Sequence, residues 1–137
     1  MFVNNAYNQY IENSVYTASP AELTLMLYNG LVKFIMQGQA AIQNNKLEKS
    51  HESIVKAQAI LQEFQASLDH NYEVAEYLNL MYDYMHRRLI EANIKKDSEI
   101  LEEVLGYAKE LRDTWEKAMK LSKNGPKAAE PMSSIAK

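Results

Sequence analysis

The side chains best suited to chemistry in this 137-residue chain are two carboxylate–imidazole pairs, Glu48-x-x-His51 and Asp83-x-x-His86. On a helix, a spacing of three puts both members of a pair on one face. Such a motif on each of two helices, with two further inward glutamates, is the ligand set of di-iron helical bundles. The set is incomplete here. If the two helices fold back about a turn near residue 70, positions 48–51 lie opposite 89–92 and not opposite 83–86, and the first long helix has no inward carboxylate. The chain has no cysteine, which removes thiol catalysis, thiolate ligands and disulfides. It shows no glycine-rich phosphate loop after a strand, no nucleophile elbow and no acid–base pair at a readable spacing. These residues point away from an enzyme and away from a bound metal or other cofactor.

Charge and hydropathy narrow the class further. The formal charge is −3, and Arg87, Arg88 and the scattered lysines form no basic patch of the kind that holds nucleic acid. The opening MFVNNAYNQY has neither the basic start nor the apolar stretch of a secretory signal. No run approaches the about 18 apolar residues of a membrane span. A cytoplasmic protein without membrane insertion is the expectation.

The elements that must position any functional surface are helices. Ser19-Pro20-x-Glu22 reads as a capping box with proline at the first helical position, opening a helix that runs to about Ala41–Asn44. Its inward face is read as Leu23, Met26, Leu27, Gly30, Leu31, Phe34, Gly38, Ala41 and Ile42. The second helix spans about Leu47–Leu68, with Leu47, Ile54, Ala57, Leu61, Phe64 and Leu68 inward. The third runs from Tyr72 or Glu73 to Ile94, with Val74, Leu78, Met81, Tyr82, Met85, Leu89 and Ala92 inward. The fourth covers Ser98–Ser122, with Leu101, Val104, Leu105, Ala108, Leu111, Trp115, Ala118 and Met119 inward. Asp97 suits the start of that last helix, and Asn124-Gly125-Pro126 is a stop signal. The expected fold is all-α: an antiparallel up-down-up-down four-helix bundle over residues 17–122. A short N-terminal amphipathic cap segment over 1–16 precedes it, and a disordered C-terminal tail over 123–137 follows.

Three of the helices carry more apolar surface than a bundle core needs. The fourth has a conventional charged outer face, with Glu102, Glu103, Lys109, Glu110, Asp113, Lys117 and Lys120. The first instead has a second apolar stripe of Leu25, Tyr28, Val32, Ile35 and Met36. The third has Tyr77, Leu80 and Tyr84 opposite its core centre, and the second has Val55, Ala59 and Ala66 on its back. A large exposed apolar patch signals a binding surface, and tyrosine suits contact surfaces. Four explanations stand at this point: side chains tilting into the core, a covering N-terminal segment, a homodimer, or a binding partner.

Several blocks together resemble the FliS family of flagellar export chaperones. They are Tyr7-x-x-Tyr10, then Ser14-Val15-x-Thr17-Ala18-Ser19-Pro20-x-Glu22-Leu23, then Leu25-Met26-Leu27-Tyr28-Asn29-Gly30. On the third helix they are Leu78-x-x-Met81-Tyr82-x-Tyr84 and Arg88-Leu89-x-x-Ala92-Asn93, and on the fourth Glu103-Val104, Leu111-Arg112 and Trp115. Asn29 stands where an acidic residue is common, and Met81 where leucine is usual. The resemblance covers about residues 7–122. It implies a cytoplasmic chaperone that binds the C-terminal segment of flagellin one-to-one, prevents premature polymerisation and delivers it to the export gate of the flagellar secretion apparatus. It also implies an N-terminal segment that occupies a hydrophobic site until the client takes it over.

On this reading Tyr7, Tyr10, Ile11 and Val15 are cover and contact residues. Tyr28 and Val32 line a groove on the first helix, and Tyr77, Leu80, Tyr84 and Arg88 line one on the third, with Arg88 and Asn93 as polar anchors. When client-free, such a chaperone can form a homodimer; the alternative is a structural or adaptor helical bundle that homodimerises through the surplus apolar stripes.

Overall fold

The computed structural model describes residues 9 and 17–124. The expected cap segment over 1–16, with Tyr7, Tyr10, Ile11 and Val15, lies outside the described residues apart from Gln9, as does the tail beyond Asn124. Four helices follow one another: α1 (Pro20–Gln43), α2 (Leu47–Ala66), α3 (Glu73–Lys95) and α4 (Ser98–Asn124). The capping box forms as the sequence requires: Glu22 N–H donates to the Ser19 hydroxyl at 3.2 Å, and Ser19 N–H to the Glu22 carboxylate at 3.0 Å. Asp97 caps α4 by accepting from the Glu99 and Ile100 amides at 2.9 and 3.3 Å. Asn45, at φ 58°, turns the chain between α1 and α2, a left-handed conformation that asparagine tolerates well. α4 continues two residues past the expected Ser122.

Hydrogen bonds between helices set their directions. Gln39, late in α1, reaches Glu102 at the start of α4, and Trp115, late in α4, reaches the Ala21 carbonyl at the start of α1. His51, early in α2, meets Asn93, late in α3. Tyr84 and Arg88 of α3 both reach Glu103 of α4. Each helix therefore runs antiparallel to its neighbours, and α1 packs between α2 and α4 while α3 closes the square. This is the expected up-down-up-down bundle.

The first helix is turned differently from its sequence reading. Thr24, Tyr28, Leu31, Val32, Ile35, Gly38 and Ala41 are buried, whereas Leu23, Met26, Leu27 and Phe34 are only partly so. Tyr28 and Val32 are 4% and 5% exposed. They are core residues, which corrects their placement in an open groove. The reason is packing on two sides. Gly30 and Gly38 approach Ile60 and Ile54 of α2, while Gln39 reaches α4, so α1 must bury a wide arc. Of the supposed second stripe only Met36 remains largely exposed. Leu47 and Val74, expected inward, are also exposed; each sits in the opening turn of its helix. Ser50 and Ala75 are buried in their place, with the Ser50 hydroxyl satisfied by the Leu47 carbonyl at 2.6 Å.

Tyrosine burial depends on a pairing that spans three helices. The hydroxyl oxygens of Tyr28 and Tyr82 lie 2.6 Å apart, and the Phe64 ring stacks on Tyr28 at 4.4 Å and on Tyr82 at 5.3 Å. Burial pushes both phenols above their ordinary ionisation range, most strongly at Tyr82. Tyr28→Phe alone leaves the Tyr82 hydroxyl buried without its partner, at a cost of about 1–3 kcal/mol, whereas replacing both tyrosines with phenylalanine is close to neutral. Denaturant unfolding of the two single variants and the double variant checks this; additive losses would contradict the pairing.

Two glycines separate close approach from helix propensity. A Cβ on Gly38 would lie 3.2 Å from Ile54 Cγ1 and 3.5 Å from Leu101 Cδ1, both on fully buried side chains. A Cβ on Gly106 would meet nothing within 4 Å. Gly106→Ala should therefore stabilise the fold by about 0.5–1 kcal/mol. Gly38→Ala should destabilise it, because overpacking costs about 1–3 kcal/mol and outweighs the propensity gain. Opposite shifts in melting temperature are the expected readout.

Candidate functional site

The exposed apolar surface gathers on α3. Of ten large hydrophobic residues exposed among the described residues, six fall at or within that helix: Tyr72, Val74, Tyr77, Leu80, Ile90 and Ile94. Leu78, Tyr82, Met85 and Leu89 anchor the helix in the core. The positions between them, Tyr77, Leu80, Tyr84 and Arg88, recur at spacings of three and four and so form one stripe over three turns, beside α4. Tyr77 is 61% exposed and Leu80 64%. Met81 of α3 and Tyr107 and Leu111 of α4 are partly buried against the core. The α3–α4 seam is also the least closely packed of the four.

Polar contacts fix the far end of the stripe. The Tyr84 hydroxyl donates to Glu103 Oε2 at 2.6 Å, and Arg88 Nε donates to Glu103 Oε1 at 2.9 Å. Arg88 Nη1 donates to Glu91 at 2.8 Å, and Lys95 binds the other Glu91 oxygen at 2.9 Å. The Tyr84 ring meets Tyr107 edge-on, centroids 6.1 Å apart, with the Arg87 guanidinium 5.8 Å from its own centroid. Bonds from Tyr84 and then Arg88 hold the Glu103 carboxyl below its ordinary range. The same bonds raise the Tyr84 phenol and the Arg88 guanidinium above theirs, so all three keep their charge states near neutral pH.

The structure thus brings together four of the sequence-predicted site residues: Tyr77, Leu80, Tyr84 and Arg88. It does not join Asn93 to them. Asn93 lies on the α2 side of α3, donates to His51 Nδ1 at 2.9 Å and accepts from Lys96. Glu103, read from sequence as part of a solvated face, is the residue that local pattern missed. The only sequence signal for it was its place in the Glu103-Val104 block, since its partners are 15 and 19 positions away. Val55, Ile90 and Ile94 leave further apolar surface on the α2 and α3 exteriors, with Ile94 at 78% exposure.

Among the described residues no three histidines or carboxylates cluster as metal ligands. Asp83 pairs with Arg87, and His51 is engaged by Asn93. A separate open groove of about 410 Å³ between α1 and α2 is lined by polar side chains, Lys46, Lys49, Glu52 and Lys56 among them. No described helix is long and apolar enough to cross a membrane. The α3 stripe offers flat apolar area beside an oriented guanidinium.

Residues 3–122 match the family described as Flagellar protein FliS. A Bacillus subtilis protein named Flagellar secretion chaperone FliS is 49% identical over 119 residues, which are 87% of this chain and 90% of that protein. The Salmonella typhimurium protein of the same name is 32% identical over 108 residues, 77% of this chain and 80% of its own. A crystal structure of a flagellar chaperone from bacteria shares the fold, with a TM-score of 0.69 at 17% identity over 85% of this chain and 96% of that one.

Proposed function

This chain belongs to the FliS family, and from that premise we propose that it is a cytoplasmic flagellar secretion chaperone whose client is the C-terminal segment of flagellin. The observation that carries the reading is the exposed stripe of Tyr77 and Leu80, continued by the fixed Tyr84 and Arg88. An amphipathic client helix lays apolar side chains on such a stripe at spacings of three, four and seven. The further apolar positions Ile90, Ile94 and Val55 suit a client that wraps beyond one groove. Wrapping of an unfolded segment buries about 1,000–3,000 Å² against an ordering cost of a few kcal/mol. Bound in this way one-to-one, flagellin is kept from polymerising and is carried to the export gate.

Residues 1–16 complete the proposal. The Tyr7, Tyr10, Ile11 and Val15 face serves as a cover over apolar surface and yields to the client by population shift. The protein acts by binding and performs no catalysis.

Calorimetry with a peptide of the flagellin C-terminal segment tests the reading. A saturable one-to-one isotherm at micromolar concentration or below is expected. No binding, together with a dimer insensitive to dilution, would favour the homodimerising bundle instead. Removal of residues 1–15 should raise hydrophobic-dye binding; an unchanged signal would remove the cover from the scheme.

A further inference from the structure

Both carboxylate oxygens of Glu103 on α4 are taken up by side chains of α3, Tyr84 at 2.6 Å and Arg88 at 2.9 Å. The chain of contacts continues from Arg88 to Glu91 and on to Lys95. Each pair is partly exposed, and partly exposed ion pairs contribute little to stability. Their effect on orientation is larger. A guanidinium has five N–H donors in a fixed plane. Glu103 takes Nε and Glu91 takes Nη1, so the plane is held at two nitrogens and Nη2 has no hydrogen-bond partner among the described residues. The Tyr84 hydroxyl spends its proton on Glu103, which sets the ring against Tyr107.

We propose that Glu103 is a positioning residue for client recognition: it holds Arg88 and Tyr84 so that the unpartnered Nη2 of Arg88 is offered to carbonyl or carboxylate oxygens of a client that runs along α3, at the end of the stripe away from Tyr77 and Leu80. The inference rests on the client-binding reading of the α3 stripe. An arginine already fixed loses little rotational freedom on binding, which is where preorganisation raises affinity. Charge-assisted bonds from a guanidinium to carboxylate are also strong and directional. Glu103 itself touches no client group and acts through its two α3 partners.

Glu103→Gln in the full chain is the test, because it keeps the size and removes the charge. The probe is a synthetic peptide of the flagellin C-terminal segment. Affinity should fall about tenfold in the otherwise wild-type chain, and by less than about twofold when Arg88→Ala and Tyr84→Phe are already present. Without peptide, the Arg88 Nε–H resonance should be protected from solvent exchange in the wild type and lost in Glu103→Gln. An equal loss of affinity in both backgrounds would overturn the proposal, since Glu103 would then act on its own or through folding. Unchanged affinity in Glu103→Gln, alongside weakened binding in Arg88→Ala, would also overturn it. If the wild-type chain fails to bind the peptide, the client reading falls, and an unprotected Arg88 Nε–H would show that Glu103 positions nothing.

Discussion

Leu80→Asp should weaken binding of the flagellin C-terminal peptide by about a hundredfold while leaving the fold intact. Leu80 is 64% exposed on the middle turn of the α3 stripe, so the folded state loses little when it is replaced. Exposed substitutions of this kind usually change stability by less than about 0.5 kcal/mol. In the complex, a carboxylate at that position would have to leave water for an apolar contact and would be left unpaired. A hundredfold change corresponds to about 2.7 kcal/mol, within the span of interface hot spots. Tyr77→Ala, at the edge of the same stripe, should show a smaller loss of about tenfold. Calorimetric titration with parallel thermal melts decides the matter. Leu80→Asp binding like the wild type would move the client off this stripe. A loss of binding matched by a fall in melting temperature would point to folding instead of contact.

Tyr28 shows why that parallel melt matters. Its ring sits within the core between α1, α2 and α3, stacked on Phe64 and paired with Tyr82. Truncating it would weaken client binding too, but by destabilising the bundle. By sequence pattern Tyr28 and Leu80 fall in one class, apolar residues outside the core face of their helices. The structure separates them by what they touch.

The bundle, its four elements and most of its inward positions were legible because they depend on local periodicity and on caps such as Ser19–Glu22 and Asp97. α4 shows this best: Leu101, Val104, Leu105, Ala108, Trp115 and Ala118 all lie where the 3.6-residue period puts them. α1 was harder because it is apolar nearly all round, so the pattern fixed a helix but not its rotation. That rotation is decided by non-local events, namely the close approach at Gly38 and the hydroxyl pairing of Tyr28 with a residue 54 positions away. Glu103 was missed for a related reason. A glutamate flanked by another glutamate looks solvated, and only the antiparallel register of α3 brings Tyr84 and Arg88 to it. Tyr77 and Leu80, in contrast, could be found from the helix alone, because nothing distant covers them among the described residues.

Trp115→Ala should be among the most destabilising single substitutions in the chain, at about 3–5 kcal/mol. The side chain is 2% exposed, and its indole N–H donates to the Ala21 carbonyl at 2.9 Å. It therefore joins the last turns of α4 to the first turn of α1, next to the capping box that starts the bundle. Removing it leaves a cavity between helices far apart in sequence, and the ends of two helices lose their shared contact. Domains of this size are stable by only about 5–15 kcal/mol, so the loss takes a large share of the total. Trp115→Phe separates the two contributions: it keeps most of the ring and deletes the indole donor, and should cost about 1–2 kcal/mol. Trp115 is the chain's single tryptophan, so its emission reports unfolding of the wild type, and circular dichroism follows the two variants. A cost below about 1 kcal/mol for Trp115→Ala would mean that the α1–α4 closure is held elsewhere. A Phe variant as unstable as the Ala variant would assign nearly all of the effect to the hydrogen bond. The expected order, wild type above Phe above Ala with the larger step between the last two, is the one that follows if packing of the indole against the core is the main tie between the two ends of the chain's fold.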